Sequence, residues 1–143
     1  MSKTRKIKGP KDNNIVKEPG GKLNYPVLCF KYLTKNKKYT IQYFKNYRDK
    51  QKAYGALFYL INDMQNTTWK ELFLRSKDRG LETIEMNELK FKPQLTLTPD
   101  TKVLVIRFKR QEYRMIGIKS ERNKDVFHVF GFDFNYSAYD HGK

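Results

Sequence analysis

Cysteine and histidine are scarce in this chain, and long apolar runs are missing. The single cysteine excludes an internal disulfide and a cysteine-rich zinc site, and the two histidines have no metal-ligand spacing. No stretch reaches the roughly 18 apolar residues of a membrane span, and no apolar segment of a secretory signal follows the basic start. We therefore expect a cytoplasmic protein that has no metal site and needs no cofactor.

Several catalytic signatures are also missing. The chain has no glycine-rich phosphate loop, no dinucleotide-binding fingerprint, no serine nucleophile motif and no carboxylate pair placed for glycosidase chemistry. Cys29 lies in the apolar run VLCF, and we interpret it as a small buried hydrophobe, the alternative being a reactive thiol. Charge and aromatic content are left as the main signals.

Positive charge dominates what is present. The 143 residues include 30 Lys and Arg against 15 Asp and Glu, which gives a formal net charge of +15. Such an excess favours polyanionic partners, and nucleic acid is the commonest of them. An acidic protein or an anionic membrane surface fits the same charge. Of these partners we expect RNA, and we do not expect binding to a membrane.

The chain divides into a polar arm and one domain. Residues 1–22 contain almost no hydrophobic residues, so we predict a disordered basic arm there. The arm is either a solvated leader or a contact along phosphates. Residues 23–143 contain strand-like and helix-like segments. Aromatic residues make up 15% of the chain, and their large buried areas can close a single core.

The start of the domain predicts a β-hairpin. The aromatic and β-branched runs predict strands near 26–33 and 38–44. The turn between them forms a basic tip that contains Lys35, Lys37 and Lys38.

Two helices are predicted next, and we expect them to form a helical hairpin. Helical spacing places on one face Ala53, Ala56, Leu57, Leu60, Ile61 and Met64. Thr68 and Glu71 have the spacing of a capping box, so a second helix should begin there and run to about Lys77, before Gly80. Its inward side chains are predicted to be Trp69, Leu72 and Phe73.

The remainder of the chain predicts strands. ETIEM predicts a short strand and QLTLT an edge strand. KVLVIRF, EYRMIGIK and DVFHVFGFDF are joined by short polar connections, which predicts an antiparallel meander. The whole order predicts an α+β fold in which a two-helix hairpin packs on one face of an antiparallel sheet.

Two arginines are predicted to face each other in this meander. A loop of either two or four residues between the first two of its strands places Arg107 opposite Arg114. Like charges directly opposite each other destabilise a sheet. The pair is therefore solvated, neutralised by a carboxylate such as Glu112 or Asp133, or neutralised by a bound anion. Arginine forks match phosphate oxygens, so the last alternative predicts a phosphate site.

The two histidines have different settings. His128 shares a predicted strand face with Phe130 and Phe132, which fits a core histidine or a catalyst. His141 lies beside Tyr139 near the end of the sequence, where it is either exposed or part of a site. We expect this aromatic terminus to be held against the sheet, which would bring His141 close to the arginines.

These residue types fit metal-independent cleavage of RNA. Attack of a 2′-hydroxyl on phosphorus needs a base, an acid and cations, which histidine and arginine supply. We predict as catalytic residues Arg107, Arg114, Tyr139 and His141. RNA bases also stack on aromatic rings. We predict as nucleic-acid-binding residues Lys35, Lys37, Lys38, Lys109, Arg110, Tyr113 and His128.

The segment KVLVIRFKRQEYRMIGIKSERNKDVFHVFGFDFNYSAYDH resembles the RelE/ParE-type toxins of bacterial toxin–antitoxin systems. Arg107, Tyr113 with Arg114, and Tyr139 with His141 stand at places comparable to that family's motifs. The resemblance covers about a third of the chain. It implies a RelE-like fold, cleavage of mRNA on the ribosome and neutralisation by an acidic antitoxin protein.

Three functions follow as hypotheses. The first is a toxin-like endoribonuclease, free or associated with the ribosome. The second is a non-catalytic nucleic-acid-binding module of a phage or mobile element, with an affinity that falls steeply with salt. The third is a factor that binds an acidic protein and has no affinity for RNA or DNA at physiological salt.

Overall fold

The computed structural model describes residues 24–75, 81–109 and 112–140, so the predicted arm at 1–22 lies outside the described residues. The described residues form an α+β architecture of two helices and a five-stranded sheet. The elements are β1 (Val27–Cys29), α1 (Tyr47–Gln65), α2 (Trp69–Leu74), β2 (Leu81–Glu85), β3 (Lys102–Phe108), β4 (Tyr113–Lys119) and β5 (Val126–Asp133). Within these ranges, neither helix combines the length and apolar content needed to cross a membrane.

The sheet is mixed, in the order β1-β5-β4-β3-β2. Strands β2 to β5 form antiparallel neighbours, as predicted, but β1 pairs parallel to β5. The prediction of a wholly antiparallel sheet is therefore wrong at this edge. The amide of Val27 donates to the carbonyl of Asp125 at 2.9 Å, so β1 satisfies its backbone on a strand that is distant in sequence. Cys29, a free thiol in β1, is half-buried.

The predicted β-hairpin at 26–33 and 38–44 is not formed. Instead of a second strand, Lys37–Tyr39 form a turn of 3-10 helix, and the side chain of Asn36 caps it by accepting from the amide of Lys38. Tyr39 is buried and stacks on Phe91, with ring centroids 4.6 Å apart. The aromatic residues that suggested a strand therefore cover the sheet as loop residues.

The stretch QLTLT is also irregular and not the predicted edge strand. Its Leu95 and Leu97 pack against the same sheet face as Phe91. Alternation of apolar residues here reflects a loop that lies flat on the sheet, with every second side chain turned inward.

Helix α1 begins after Asn46, whose side chain accepts from the amide of Asp49. Its buried residues are Ala53, Ala56, Leu60 and Met64, in agreement with the predicted apolar face. Ile61 is an exception and is 47% exposed, because it lies at the edge of the buried stripe.

Helix α2 begins with the predicted capping box. The side chain of Thr68 accepts from the amide of Glu71, and the carboxylate of Glu71 accepts from the amide of Thr68. Trp69 and Leu72 are buried as predicted, whereas Phe73 is 51% exposed. The helix ends at Leu74 and not near Lys77, which lies outside the described residues together with Gly80.

The sheet separates the core into two layers. One face packs against the helices through Leu104, Ile106, Phe108, Tyr113 and Met115. The other face carries Val103, Val105, Ile116 and Ile118 and is covered by loops, including Tyr39, Phe91 and Tyr139. The predicted short strand is β2, and Ile84 joins this second layer.

A β-bulge interrupts the pairing of β4 with β5. Ile116 pairs with Gly131 and Gly117 pairs with Val129, so Phe130 has no partner on β4. The extra residue changes which side chains share a face beyond this point.

The bulge overturns one prediction about β5. Phe132 packs on the helix side together with Phe127 and Val129, whereas strict alternation placed it with His128 and Phe130. The expected alternation of side chains between the two sheet faces fails here because a bulge shifts it by one residue.

The segment after β5 folds back onto the loop-covered face. Ala138 and Tyr139 are buried, and the amide of Lys90 donates to the carbonyl of Ala138 at 2.8 Å. The expectation that the aromatic terminus is held against the sheet is confirmed as far as Asp140, where the described residues end.

Candidate functional site

The two arginines of the meander do lie opposite each other. Arg107 of β3 pairs in register with Arg114 of β4, across a four-residue connection. Each guanidinium has different surroundings. Arg107 binds Glu82 of β2, with a distance of 2.7 Å between Nη2 and Oε2.

Glu82 is the carboxylate that the sequence did not reveal. Strand β2 is the neighbour of β3 in the sheet, and Glu82 pairs there with Val105, which precedes Arg107 by two residues on β3. The side chains of Glu82 and Arg107 are only 19% and 12% exposed. Burial lowers the pKa of Arg107, but the hydrogen bond and charge of Glu82 outweigh this effect and raise it. Glu112, one expected partner, binds Lys109 instead.

Arg114 is enclosed almost completely, with 1% of its surface exposed. Its guanidinium carbon lies 4.3 Å from the ring centroid of Tyr136, which covers it in a cation–π contact. Its pairing partner on β5 is Asp133, which is fully buried. Two of its nitrogens, Nε and Nη1, have no hydrogen-bond partner among the described residues.

Asp133 anchors the segment that follows β5. One carboxylate oxygen accepts from the amides of Asn135 and Ser137, and the other accepts from the amide of Ala138 at 3.1 Å. The carboxylate therefore fixes the turn that returns the chain to the sheet, and Asp133 is the register partner of Arg114.

Tyr139 completes the network from the other side. Its hydroxyl donates to Oε2 of Glu82 at 3.1 Å, the same oxygen that binds Arg107. Burial and the charge of Glu82 raise the pKa of Tyr139 well above its ordinary value, and Arg114 opposes this only in part. The raised pKa keeps Tyr139 protonated near neutral pH.

These five residues form the buried brace: Glu82, Arg107, Arg114, Asp133 and Tyr139. The brace contains two arginines and two carboxylates, and Glu82 binds both Arg107 and the hydroxyl of Tyr139. Such an arrangement fixes the C-terminal segment to the sheet. A phosphate chain cannot reach Arg114 or Tyr139 without displacing that segment, because both are nearly inaccessible.

The other predicted site residues fall into separate groups. Lys109 lies over the ring of Tyr113 at 4.5 Å and donates to its hydroxyl at 3.1 Å, while Tyr113 itself is buried. Arg110 and His141 lie outside the described residues. The expectation that His141 lies close to the arginines therefore falls outside the described residues.

His128 lies at a different place, on the loop-covered face of β5. Its imidazole meets the ring of Tyr32 edge to face, with centroids 5.0 Å apart. Nδ1 is buried and has no hydrogen-bond partner in the described part of the chain. His128 lines a groove of about 1020 Å³ at the end of the sheet, which we call the sheet-end groove.

The sheet-end groove has an apolar floor and a charged rim. The apolar lining comprises Tyr32, Phe73, Leu95, Leu97, Leu104 and Ile118. The charged lining comprises Asp100, Lys102, Lys119, Glu121 and Arg122. Sequence reasoning missed this groove because its walls come from five separate segments.

Three of the predicted binding residues do lie together at the surface. Lys35, Lys37 and Lys38 are exposed, and the fold adds exposed Lys92 from a second segment. Thr34 Oγ1 donates to the carbonyl of Lys92 at 2.7 Å, which locks the two segments side by side. We call these four residues the lysine cluster.

The lysine cluster is not neutralised by nearby acids. In the described ranges, none of its four ammonium groups forms an ion pair. A depression of about 440 Å³ lies between the segments and is lined by Lys35, Lys92 and Gln94 among others. Residues 24–75, 81–109 and 112–140 contain no group of three His, Cys, Asp or Glu that could hold a metal ion.

Comparisons with known proteins give no match: no protein-family model, no curated protein and no solved structure matches this chain. The resemblance to RelE/ParE-type toxins, the ribosome and the acidic antitoxin therefore stay predictions.

Proposed function

We propose that this protein is a non-catalytic nucleic-acid-binding module that contacts phosphates through the lysine cluster. The observation that carries the proposal is the lysine cluster itself: four exposed ammonium groups that form no ion pair with any described residue, on two segments that are hydrogen-bonded together. A net charge of +15 adds long-range attraction for a polyanion.

The geometry of the lysine cluster suits backbone contacts. The 3-10 turn at Lys37–Tyr39 is capped by Asn36, and the neighbouring segment is fixed by Gln94, whose side chain donates to the carbonyl of Leu33 at 2.7 Å. The lysines therefore project into solvent from a hydrogen-bonded backbone. Flexible ammonium groups act as point charges on phosphates and carry little sequence information.

The buried brace argues for binding over catalysis. Arg107 is paired with Glu82, Arg114 is enclosed with 1% of its surface exposed, and the raised pKa keeps the proton on Tyr139. Catalysis at this place would need cations that are free to stabilise the transition state of phosphoryl transfer. The exposed lysines meet the requirement for phosphate contact without any rearrangement.

Cleavage of RNA by Arg107, Arg114, Tyr139 and His141 stays a prediction. It is tested by incubating the protein with mRNA in the presence and absence of ribosomes, beside a His141→Ala variant. Cleavage that the variant lacks would establish the ribonuclease and overturn the proposal of a module without catalysis.

Binding is tested by fluorescence anisotropy with a labelled RNA over a range of salt concentrations. Replacing Lys35 and Lys38 by alanine should lower the affinity, and the slope of log K against log salt should become shallower by about 2, one for each phosphate contact. The matched control replaces Lys52 and Lys70, which are exposed on the helix side of the sheet.

The control variant has the same net charge as the test variant. If both variants weaken binding equally, the interaction is diffuse attraction and the lysine cluster has no special role. If neither variant binds differently from the unmodified protein, the proposed function is wrong.

A further inference from the structure

A polar atom at the sheet-end groove lacks a hydrogen-bond partner among the described residues. Nδ1 of His128 is buried and has no hydrogen-bond partner among the described residues, although the face of the ring is supported by Tyr32. A buried polar atom without a partner is costly, so a rotation of the half-buried ring that brings this nitrogen to a ligand in the groove recovers that cost.

The apolar part of the sheet-end groove fits a flat ring. Leu95 and Leu97 pack against the sheet face that carries Ile118, and the aromatic ring of Tyr32 also lines the groove. A volume of about 1020 Å³ is ample for one nucleotide. Unpaired bases are bound in this manner, by stacking on side chains and by hydrogen bonds to the base edge.

The rim supplies charges of both signs. Lys102 already pairs with Glu85 at 3.4 Å, which leaves Lys119 and Arg122 as the cations for a phosphate. Lys119 lies over the ring of Trp69 at 4.6 Å, at the helix side of the groove. Asp100 provides an acceptor for a ribose hydroxyl or a base amino group.

The sheet-end groove and the lysine cluster are built on neighbouring residues of the same segments. Gln94, which borders the depression between the lysines, is followed directly by Leu95, which lines the sheet-end groove. The amide of Gln94 donates to the carbonyl of Tyr32 at 3.0 Å, so the same two segments build both features. One strand of nucleic acid can therefore contact both.

We propose that the sheet-end groove receives one unstacked base of a single-stranded nucleic acid, with the base edge on His128 and the adjoining phosphate on Lys119 and Arg122. This inference rests on the proposed function, because the lysine cluster holds the neighbouring phosphates. A base within a duplex cannot enter without leaving its stack. The groove therefore makes the protein prefer single strands.

The test compares a labelled single-stranded RNA of about 10 nucleotides with the duplex of the same sequence, at fixed salt. The unmodified protein should bind the single strand about 10-fold more tightly, a factor that corresponds to stacking and hydrogen bonding of one base. Arg122→Ala and His128→Phe should remove this preference. Lys124→Ala is the matched control, because Lys124 is exposed in the same turn as Arg122 but does not line the groove.

The fluorescence of Trp69 gives a second measurement, since Trp69 is the only tryptophan of the chain and lies against Lys119. Titration of the unmodified protein with a nucleoside 5′-monophosphate should change the tryptophan fluorescence, and the Arg122→Ala variant should require more ligand for the same change.

The outcomes separate the two proposals. Equal binding of single strand and duplex by the unmodified protein overturns the groove assignment, and so does a preference that survives both Arg122→Ala and His128→Phe. Replacement of Lys35 and Lys38 should weaken both RNAs and keep their ratio. If that replacement changes neither affinity, the proposed role of the lysine cluster is wrong. The ratio of the single-strand affinity to the duplex affinity still tests the groove.

Discussion

Tyr139 donates a hydrogen bond to Glu82, which precedes it by 57 residues and lies on the edge strand β2. The contact joins the C-terminal segment to the opposite edge of the sheet from β1. It also places a neutral phenol on the carboxylate that neutralises Arg107. The buried brace is thus a structural device, and the following predictions test it.

Glu82→Gln should destabilise the protein by about 2–4 kcal/mol. The change removes the carboxylate that binds Arg107, while Arg114 still lies opposite that guanidinium. The free energy of unfolding is measured by urea denaturation. Glu85→Gln on the same strand is the control, because its ion pair with Lys102 is exposed and contributes less than about 1 kcal/mol. Equal losses in the two variants would show that Glu82 has no special role.

Asp133→Ala should release the segment that follows β5. The carboxylate accepts from three backbone amides there, and its loss should cost about 2–4 kcal/mol. Hydrogen exchange at the amide of Ala138 should become much faster. Asp140→Ala, at an exposed position, should change stability by less than about 0.5 kcal/mol. Unchanged protection of Ala138 in the Asp133 variant would contradict this role.

Tyr139 predicts a specific loss of stability at alkaline pH. Its pKa is raised in the folded state, so the folded protein holds this proton more tightly than the unfolded chain does. The contribution is complete below the unfolded pKa of about 10 and is lost as the pH rises above it. Stability of the unmodified protein should then fall more steeply than that of Tyr139→Phe, by about 1.4 kcal/mol per pH unit. Parallel curves would refute the raised pKa.

Two glycines should respond to alanine in opposite directions. A Cβ at Gly117 would lie 2.0 Å from the carbonyl oxygen of His128, so Gly117→Ala should cost about 3 kcal/mol or prevent folding. A Cβ at Gly55, within α1, meets nothing within 4 Å, and Gly55→Ala should stabilise by about 0.5–1 kcal/mol. Thermal unfolding checks both. A tolerated Gly117→Ala would mean that the β-bulge is not packed as closely as described.

Sequence reasoning succeeded for elements with local signals. The apolar spacing of α1, the capping box at Thr68 and the three strands from Lys102 to Asp133 are all present. The register that opposes Arg107 and Arg114 was also correct, because the connection between β3 and β4 is short. Each of these features depends on residues that are close together in the chain.

Sequence reasoning failed where the partner is distant. A hairpin was predicted for the segment that contains β1, but β1 pairs with β5. Glu82 was not recognised as the partner of Arg107, and the bulge at Phe130 reversed the predicted side of Phe132. The exposed cations Lys35 to Lys38 were recognised, whereas Lys92 and the sheet-end groove were not.

The sequence by itself determined the α+β class, both helices, the antiparallel meander and a charge suited to polyanions, because periodicity, capping and composition act locally or as simple sums. Only the tertiary structure decided that Arg107 is paired with Glu82, that Arg114 is enclosed, and that lysines of two segments form one surface. Those outcomes depend on which distant strands become neighbours. Neighbours in a sheet are selected by the burial of whole faces, and no short stretch of the chain encodes that choice.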